Sequence, residues 1–407
     1  MPVSQEVGRS VPIARKFRPD MKIVSIECLK LTLPPLERPT PPRAGAKAKR
    51  DNPRPINKYP DMPRARSQMP GDVTGEIWVR ITAEDGTFGL GHTHWGDLVE
   101  PVIRTLYAPL LVGRDCMANE LLNDLMWRAS QRFGPDGIPS LARSAIDLAL
   151  WDIKGKLLQA PVYALLGGPA RDHLDCYVTT ADLEWAMELG FTAFKIGNIA
   201  HYEDGVAGLN AVEDMVAEAR DTVGPNAELM LNTVMGYNVE FAVRMLERLR
   251  PYNLRWVEEP LMPYDTDGLR AIKQAVPTIP IATGEDHHGR HAFKHLLDRR
   301  AVDIVQPDLR WCGGLTEAAK IYALAETAGV VTCLHAGAGI AAGQHFCMAL
   351  PEAGLAEYVT FSPAGVPLHE VTRLPGLALP RDGKLIPSDA PGFGLDIASD
   401  WFTPWRR

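Results

Sequence analysis

The chain predicts an α/β fold: a (β/α) barrel with an α+β domain ahead of it. Three observations carry this. Its 407 residues exceed one small core and imply two or three domains, or a barrel with an attached domain. From residue 174 onward, eight short apolar runs alternate with amphipathic helical patterns. Ahead of them, period-two segments rich in β-formers give way to long helical patterns.

The elements follow in order. Residues 1–20 contain Arg9, Arg15, Lys16 and Arg18 without an apolar stretch, and read as a loose tail rather than a signal peptide. Residues 21–165 read as the α+β domain. A strand is predicted over 21–32, and 75–81 with 87–92 form a hairpin across Glu84-Asp85-Gly86. Helices are predicted over 98–111, 118–131 and 138–158. The insertion at 34–72 is rich in Pro, Arg and Lys, and is either disordered or a working lid.

The barrel is expected over 166–373. Its apolar runs are 174–178, 193–196, 228–231, 254–257, 279–283, 303–305, 330–334 and 356–360. Helices are predicted at 182–189, 202–222, 239–249, 268–275, 315–328 and 340–350. No repeat of constant length is visible, which argues against a solenoid. The Pro- and Gly-rich segment 374–407 is expected to pack back on the first domain.

Composition narrows the function. A net charge of -7 is mild and argues against a general nucleic-acid binder. No apolar run is long enough to span a bilayer. The six cysteines are scattered without a Cys-x-x-Cys pair, so neither a disulfide framework nor a zinc ribbon is predicted, and a reducing cytoplasm fits.

In a barrel, the C-terminal strand ends converge on one rim. Here they deliver Lys195, Asn232, Glu258, Glu285, Asp308, His335 and Glu357. Asn232, Glu258 and Glu285 stand on three consecutive strands and offer only oxygen. Such a set suits Mg2+, which keeps water and substrate oxygens in its shell. An Asp308 beside His335 can set the tautomer of the ring and raise its basicity. Lys195 next to a metal would neutralise a substrate carboxylate. Taken singly, each has an ordinary reading: a solvated strand end, a capping Asp, a core imidazole, a surface lysine. The run of Asn232, Glu258 and Glu285 on three successive strands carries the argument.

Several motifs carry a family resemblance. The run from Ile146 to Lys156, with Leu165-Leu166-Gly167-Gly168, resembles the barrel entry of the mandelate racemase and muconate lactonizing enzyme branch of the enolase superfamily. Trp256-Val257-Glu258-Glu259-Pro260 and Gly284-Glu285 are similar to that branch's metal-ligand motifs. The stretch from Gln306 to Thr316, Tyr252 to Trp256, Pro391 to Leu395 and Pro53 to Tyr59 resemble the L-rhamnonate dehydratase group. The resemblance implies a barrel of the modified TIM type, capped by an α+β domain built from the N-terminal part and the C-terminal tail. It implies Glu258 and Glu285 as Mg2+ ligands with Asn232 in the third place. It further implies His335 as base, Asp308 as its partner, and Glu357 as a hydrogen-bonding group for the enediolate or carboxylate. Lys195 matches the first lysine of a Lys-x-Lys motif. Arg66 and Tyr59 of the insertion are implied as substrate contacts. The implied reaction is dehydration of an acid sugar to a 2-keto-3-deoxy acid by a homo-oligomer, without nucleic-acid or membrane partners.

Three positions depart from the family. Asn232 replaces the usual Asp, Gly197 stands at the second position of Lys-x-Lys, and Asp286 replaces a His. Without a lysine at 197, a second base is missing and racemisation is the poorer reading. Three rival readings remain open at this level. Gly337 to Ala342, with Glu357 about twenty residues on, has the spacing of a dinucleotide fingerprint. Asn232 is compatible with a barrel decayed to a binding role. His287, His288 and His291 could form a zinc site, although no Glu motif accompanies them.

Overall fold

The computed structural model describes residues 21–45, 52–59, 61–63 and 75–405. The predicted tail at 1–20 and Arg66 lie outside the described residues.

The first sheet is antiparallel and built from β1 (Ile23–Leu31), β2 (Ile77–Ala83) and β3 (Phe88–Thr93). Apolar residues of β2, among them Ile77, Val79 and Ile81, are buried in one core with the helix Ile138–Leu158. The helix comes very close to β3. A Cβ on Gly89 would lie 2.1 Å from the Ala149 carbonyl oxygen, and one on Gly91 would lie 2.1 Å from that of Ala145. Only glycine permits this approach. The predicted helix at 98–111 is realised as Gly96–Val102, a π-helical turn over Ile103–Tyr107, and Ala108–Leu111.

The second sheet contains eight parallel strands. These are β4 (Leu174–Thr179), β5 (Ala193–Gly197), β6 (Glu228–Asn232), β7 (Trp256–Glu258), β8 (Ile281–Thr283), β9 (Ile304–Val305), β10 (Val331–Thr332) and β11 (Leu355–Val359). They run β10-β9-β8-β7-β6-β5-β4-β11 and curl into the barrel. Cys333 Sγ donates to the Leu355 carbonyl at 3.3 Å, bridging the last residues of the β10 run to β11. Tyr177, Ala193, Met230, Trp256, Ala282, Ile304 and Cys333 fill the interior as one cluster. Burying a side chain such as Met230 is worth roughly 1.5–3 kcal/mol. The register places Gly197 beside Asn232, and Asn232 beside Glu258, so three strand ends share one level of the rim.

Two features differ from the sequence expectation. A helix over Gly289–Asp298 follows β8, with Phe293, Leu296 and Leu297 on its buried face. The C-terminal segment is shared between the two sheets: β12 (Lys384–Leu385) pairs with β4, and β13 (Phe402–Pro404) pairs with β1. No helix among the described residues is long and apolar enough to cross a membrane. All six cysteines are unpaired.

Candidate active site

The strand ends bring seven of the predicted residues together in two linked groups. The first is centred on Lys195, whose side chain is 1 % exposed. Its Nζ lies 2.5 Å from Glu258 Oε1 and 2.8 Å from Glu357 Oε1. Burial disfavours the ammonium, but Glu258 and Glu357 outweigh that and keep its pKa above the usual lysine range. The second of these carboxylates, Glu357, also accepts from Thr179 Oγ1 and from the Ala336 backbone N–H. Burial pushes Glu357 up, yet Lys195 and His335 bring it down to about 2. The Ala336 amide and the Ala338 amide, which bonds the Glu357 carbonyl at 2.7 Å, engage the start of the Gly337 to Ala342 loop. The loop is thus tied to β11 where a dinucleotide fingerprint would present its amides to a pyrophosphate.

Glu258 is fully engaged. Oε1 accepts from Lys195 and from Asn232 Nδ2 at 2.6 Å, and Oε2 accepts from Gln306 Nε2 at 2.6 Å and Trp256 Nε1 at 3.2 Å. The Asn232 Oδ1 accepts from the Val234 N–H at 2.8 Å.

The second group contains the histidine. His335 Nδ1 lies 2.7 Å from Asp308 Oδ2, and His335 Nε2 lies 3.5 Å from Glu285 Oε2. Asp308 is buried and gripped by Arg310, whose Nε and Nη2 reach its two oxygens at 3.0 and 2.6 Å. Burial would raise Asp308, but Arg310 and His335 hold it well below the usual carboxylate range. Burial lowers His335, while Glu285 and the Asp308 hydrogen bond more than offset it and raise the ring to about 9. The first domain pins this loop. Thr93 Oγ1 donates to the Arg310 carbonyl, Ser140 Oγ donates to the Trp311 carbonyl, and Trp311 Nε1 donates to His94 Nδ1. The Trp311 ring centroid stands 5.2 Å from that of His335.

Beside these groups lies a carboxylate cluster. Ligand oxygens of Glu259, Glu285 and Asp286 all lie within 4.8 Å of one another. Among the described residues this is the only group of three or more His, Cys, Asp or Glu so arranged. His287, His288 and His291 form no such group; His291 instead stacks on Trp127. Burial, with Glu285 and Asp286 beside it, pushes Glu259 well above the usual range. Burial raises Glu285 to about 7, with His335 opposing and Glu258 and Asp286 assisting.

The insertion reaches the rim through Asn52, which packs on Gly197. Tyr59 ends the turn Pro55–Lys58 and is 58 % exposed, apart from the two groups. Sequence reasoning missed Glu259, Arg310, Gln306 and Asn52. The paired Glu258-Glu259 and the Gln306 to Arg310 motif contained three of them, but nothing local says which side chain turns where.

A barrel rim with an acid-held imidazole, a buried lysine and a ring of oxygen donors, under an α+β domain, defines an enolase-like protein. The chain belongs to the mandelate racemase/muconate lactonizing enzyme family. Residues 179–401 match the enolase C-terminal domain-like model, and residues 73–167 match the N-terminal domain of mandelate racemase and muconate lactonizing enzyme. It is 36% identical over 347 residues to an L-rhamnonate dehydratase of Saccharopolyspora erythraea, covering 84% of this chain and 88% of that one. The crystal structure of L-rhamnonate dehydratase from Gibberella zeae is similar at a TM-score of 0.85 and 32% identity, over 96% of this chain and 97% of that one. A Mg complex of rhamnonate dehydratase from Gibberella zeae is similar at a TM-score of 0.83 and 31% identity, over 94% and 96%.

Proposed function

We propose that this protein is a Mg2+-dependent hydro-lyase that dehydrates an acid sugar, an L-rhamnonate-like aldonate, to a 2-keto-3-deoxy acid. The observation that carries the reading is the orientation of His335: Nδ1 is held by Asp308, and Nε2 faces Glu285 at the edge of the carboxylate cluster.

The donors fit a hard cation. They are oxygens only, and Glu259 is a buried carboxylate with no hydrogen-bond partner on either oxygen. Glu285 is common to both possible ligand sets, with Asn232 and Glu258 on one side of the rim and Glu259 and Asp286 on the other. When bound, the cation supplies Lewis-acid stabilisation of charge that builds on the substrate carboxylate.

The protein's own residues supply the proton transfers. Asp308 accepts from His335 Nδ1, which leaves the Nε2 lone pair for the C2 proton once the ring is neutral. The C2–H electrons move into the carboxylate as an enediolate. They then expel the 3-hydroxyl, which takes the proton back from Nε2 and leaves as water. Tautomerisation of the resulting enol gives the 2-keto-3-deoxy acid. Lys195 provides a fixed positive charge at the depth of the strand ends. Glu357, ionised and saturated by Lys195, Thr179 and the Ala336 amide, acts by holding that lysine. With Gly197 opposite, proton removal is confined to one face.

The test is a library of mono- and diacid sugars incubated with the protein and Mg2+, followed for 2-keto acid and for exchange of the C2 hydrogen in D2O. Keto-acid formation from at least one aldonate is expected. Absence of both turnover and exchange across the library would end the proposal.

A further inference from the structure

We propose that Arg310 is the positioning residue of the base: it fixes the Asp308 carboxylate in the orientation that presents Oδ2 to His335, and the first domain holds Arg310 in place. This deepens the preceding reading and rests on its assignment of His335 as the base.

Asp308 is fully buried in the run that follows β9. Its two oxygens take four bonds. Oδ1 accepts from the Arg310 backbone N–H at 2.6 Å and from Arg310 Nε at 3.0 Å. Oδ2 accepts from Arg310 Nη2 at 2.6 Å and from His335 Nδ1 at 2.7 Å. Three of the four therefore come from one residue. The Nε and Nη2 bonds form the parallel fork of a guanidinium on a carboxylate, which fixes the plane of the carboxylate as well as its place. A single bond to one oxygen would leave the group free to turn about its last torsion, which is broad. With the plane fixed, Oδ2 meets Nδ1 from one direction, and the ring that carries Nε2 is aimed by it.

The guanidinium is in turn held from the first domain. Burial disfavours its charge, while Asp308, and after it Glu76 just ahead of β2, favour it. Thr93 Oγ1, at the end of β3, donates to the Arg310 carbonyl at 2.8 Å. The residues that follow are tied in the same way. The Trp311 and Gly313 carbonyls accept from Ser140 Oγ and Asn123 Nδ2, and the Gly313 N–H donates to Ser144 Oγ. The loop between β9 and the helix Leu315–Thr327 belongs to the barrel, yet the first domain grips it at Arg310, Trp311 and Gly313. Docking of the first domain thus completes the base.

A misplacement of about 1 Å at a reacting group can cost about 10²-fold in rate. Loss of the fork should therefore act on the chemical step and spare substrate binding. A cavity between the domains, lined by Glu76, Trp78, His92, Ile340 and Arg310, offers a small cation a route to the place that a truncated Arg310 would vacate.

The experiment compares the full Mg2+-loaded chain with Arg310→Lys, Arg310→Ala and Thr93→Val, by steady-state kinetics on the best acid sugar and by C2 hydrogen exchange in D2O. Arg310→Lys keeps the charge without the fork. Its kcat and exchange rate should each fall about tenfold or more, with KM within about threefold of the parent. Arg310→Ala should lose about 10²-fold, and millimolar guanidinium ion should restore part of that where methylammonium does not. Thr93→Val, close in shape, should lower kcat about three- to tenfold with KM unmoved. Crystal structures of the parent and Arg310→Lys read the same point without substrate: the Asp308 carboxylate and the His335 ring should be turned in the variant. They decide the inference even if no acid sugar is turned over, and Arg310→Lys serves should Arg310→Ala fold poorly. Parent-like kcat in Arg310→Lys, equal rescue by both cations, or an unmoved Asp308 and His335 would overturn the positioning role. A rise in KM alone would overturn it in favour of a substrate contact, and a parent-like Thr93→Val would remove the part assigned to the first domain.

Discussion

The side chain of Asn52 rests directly on Gly197 at the end of β5: a Cβ built on that glycine would lie 2.4 Å from Asn52 Oδ1 and 2.6 Å from Nδ2. The insertion reaches the barrel rim at this point because residue 197 has no side chain. The same glycine stands where a racemase of this family would carry its second lysine. Glycine at 197 therefore offers no side chain to act as a base and admits the loop.

Gly197→Ala should push Asn52 off the rim. For the best acid sugar, KM should rise about tenfold, the equivalent of about 1.4 kcal/mol, with kcat changed less. Steady-state kinetics decides it. Unaltered KM and kcat would mean that the contact is idle in turnover.

His335→Asn should lower dehydration by at least about 10²-fold, within the usual range for general-base assistance. Exchange of the C2 hydrogen in D2O should be lost with it, while far-UV circular dichroism stays native. Exchange at the parent rate would transfer the role of base to another residue, with Lys195 the first to test.

Lys195→Met should destabilise the fold by about 3–5 kcal/mol in urea unfolding, because it strands two buried carboxylates, Glu258 and Glu357, without their shared counter-charge. Both partners are 1 % exposed, so solvent cannot take over. A loss below about 1 kcal/mol would show that the pair is hydrated or protonated in solution.

His345 provides a pH test remote from the rim. It is fully buried, its Nδ1 accepts from the Tyr163 N–H, and burial lowers its pKa from 6.5 to about 4. A depressed folded pKa means that the unfolded chain takes the proton first as pH falls. Its contribution is therefore complete above pH 6.5, and is lost progressively as pH drops toward 4. The His345→Gln variant should lose stability less steeply across that window, by up to about 1.4 kcal/mol per pH unit. Parallel curves of unfolding free energy against pH for the two proteins would refute the assignment.

The barrel was legible along the chain because parallel strands buried on both faces read as continuous apolar runs. All eight predicted runs, from 174–178 to 356–360, contain the observed strands or overlap them. The helix Gly289–Asp298 escaped because Phe293, Leu296 and Leu297 are its only large apolar residues and all lie from its middle onward, too few to mark a stripe. The polar residue at each strand end was also visible, since the chain order of a barrel maps strand ends to one rim.

The division of labour within that rim was decided by tertiary structure. Glu258 and Glu259 are identical in type and adjacent in sequence. One is saturated by Lys195, Asn232, Trp256 and Gln306, and the other is left unpaired beside Glu285 and Asp286. The difference comes from a φ of 48° at the end of β7 and from donors that lie on other strands. Asn52 and Gly197 meet across a long stretch of intervening chain, and Arg310 reaches Asp308 in a loop that Thr93 and Ser140 of the first domain hold in place. Periodicity encodes which face of an element is buried. Contacts between side chains on different elements depend on strand register and loop closure, which no local pattern contains.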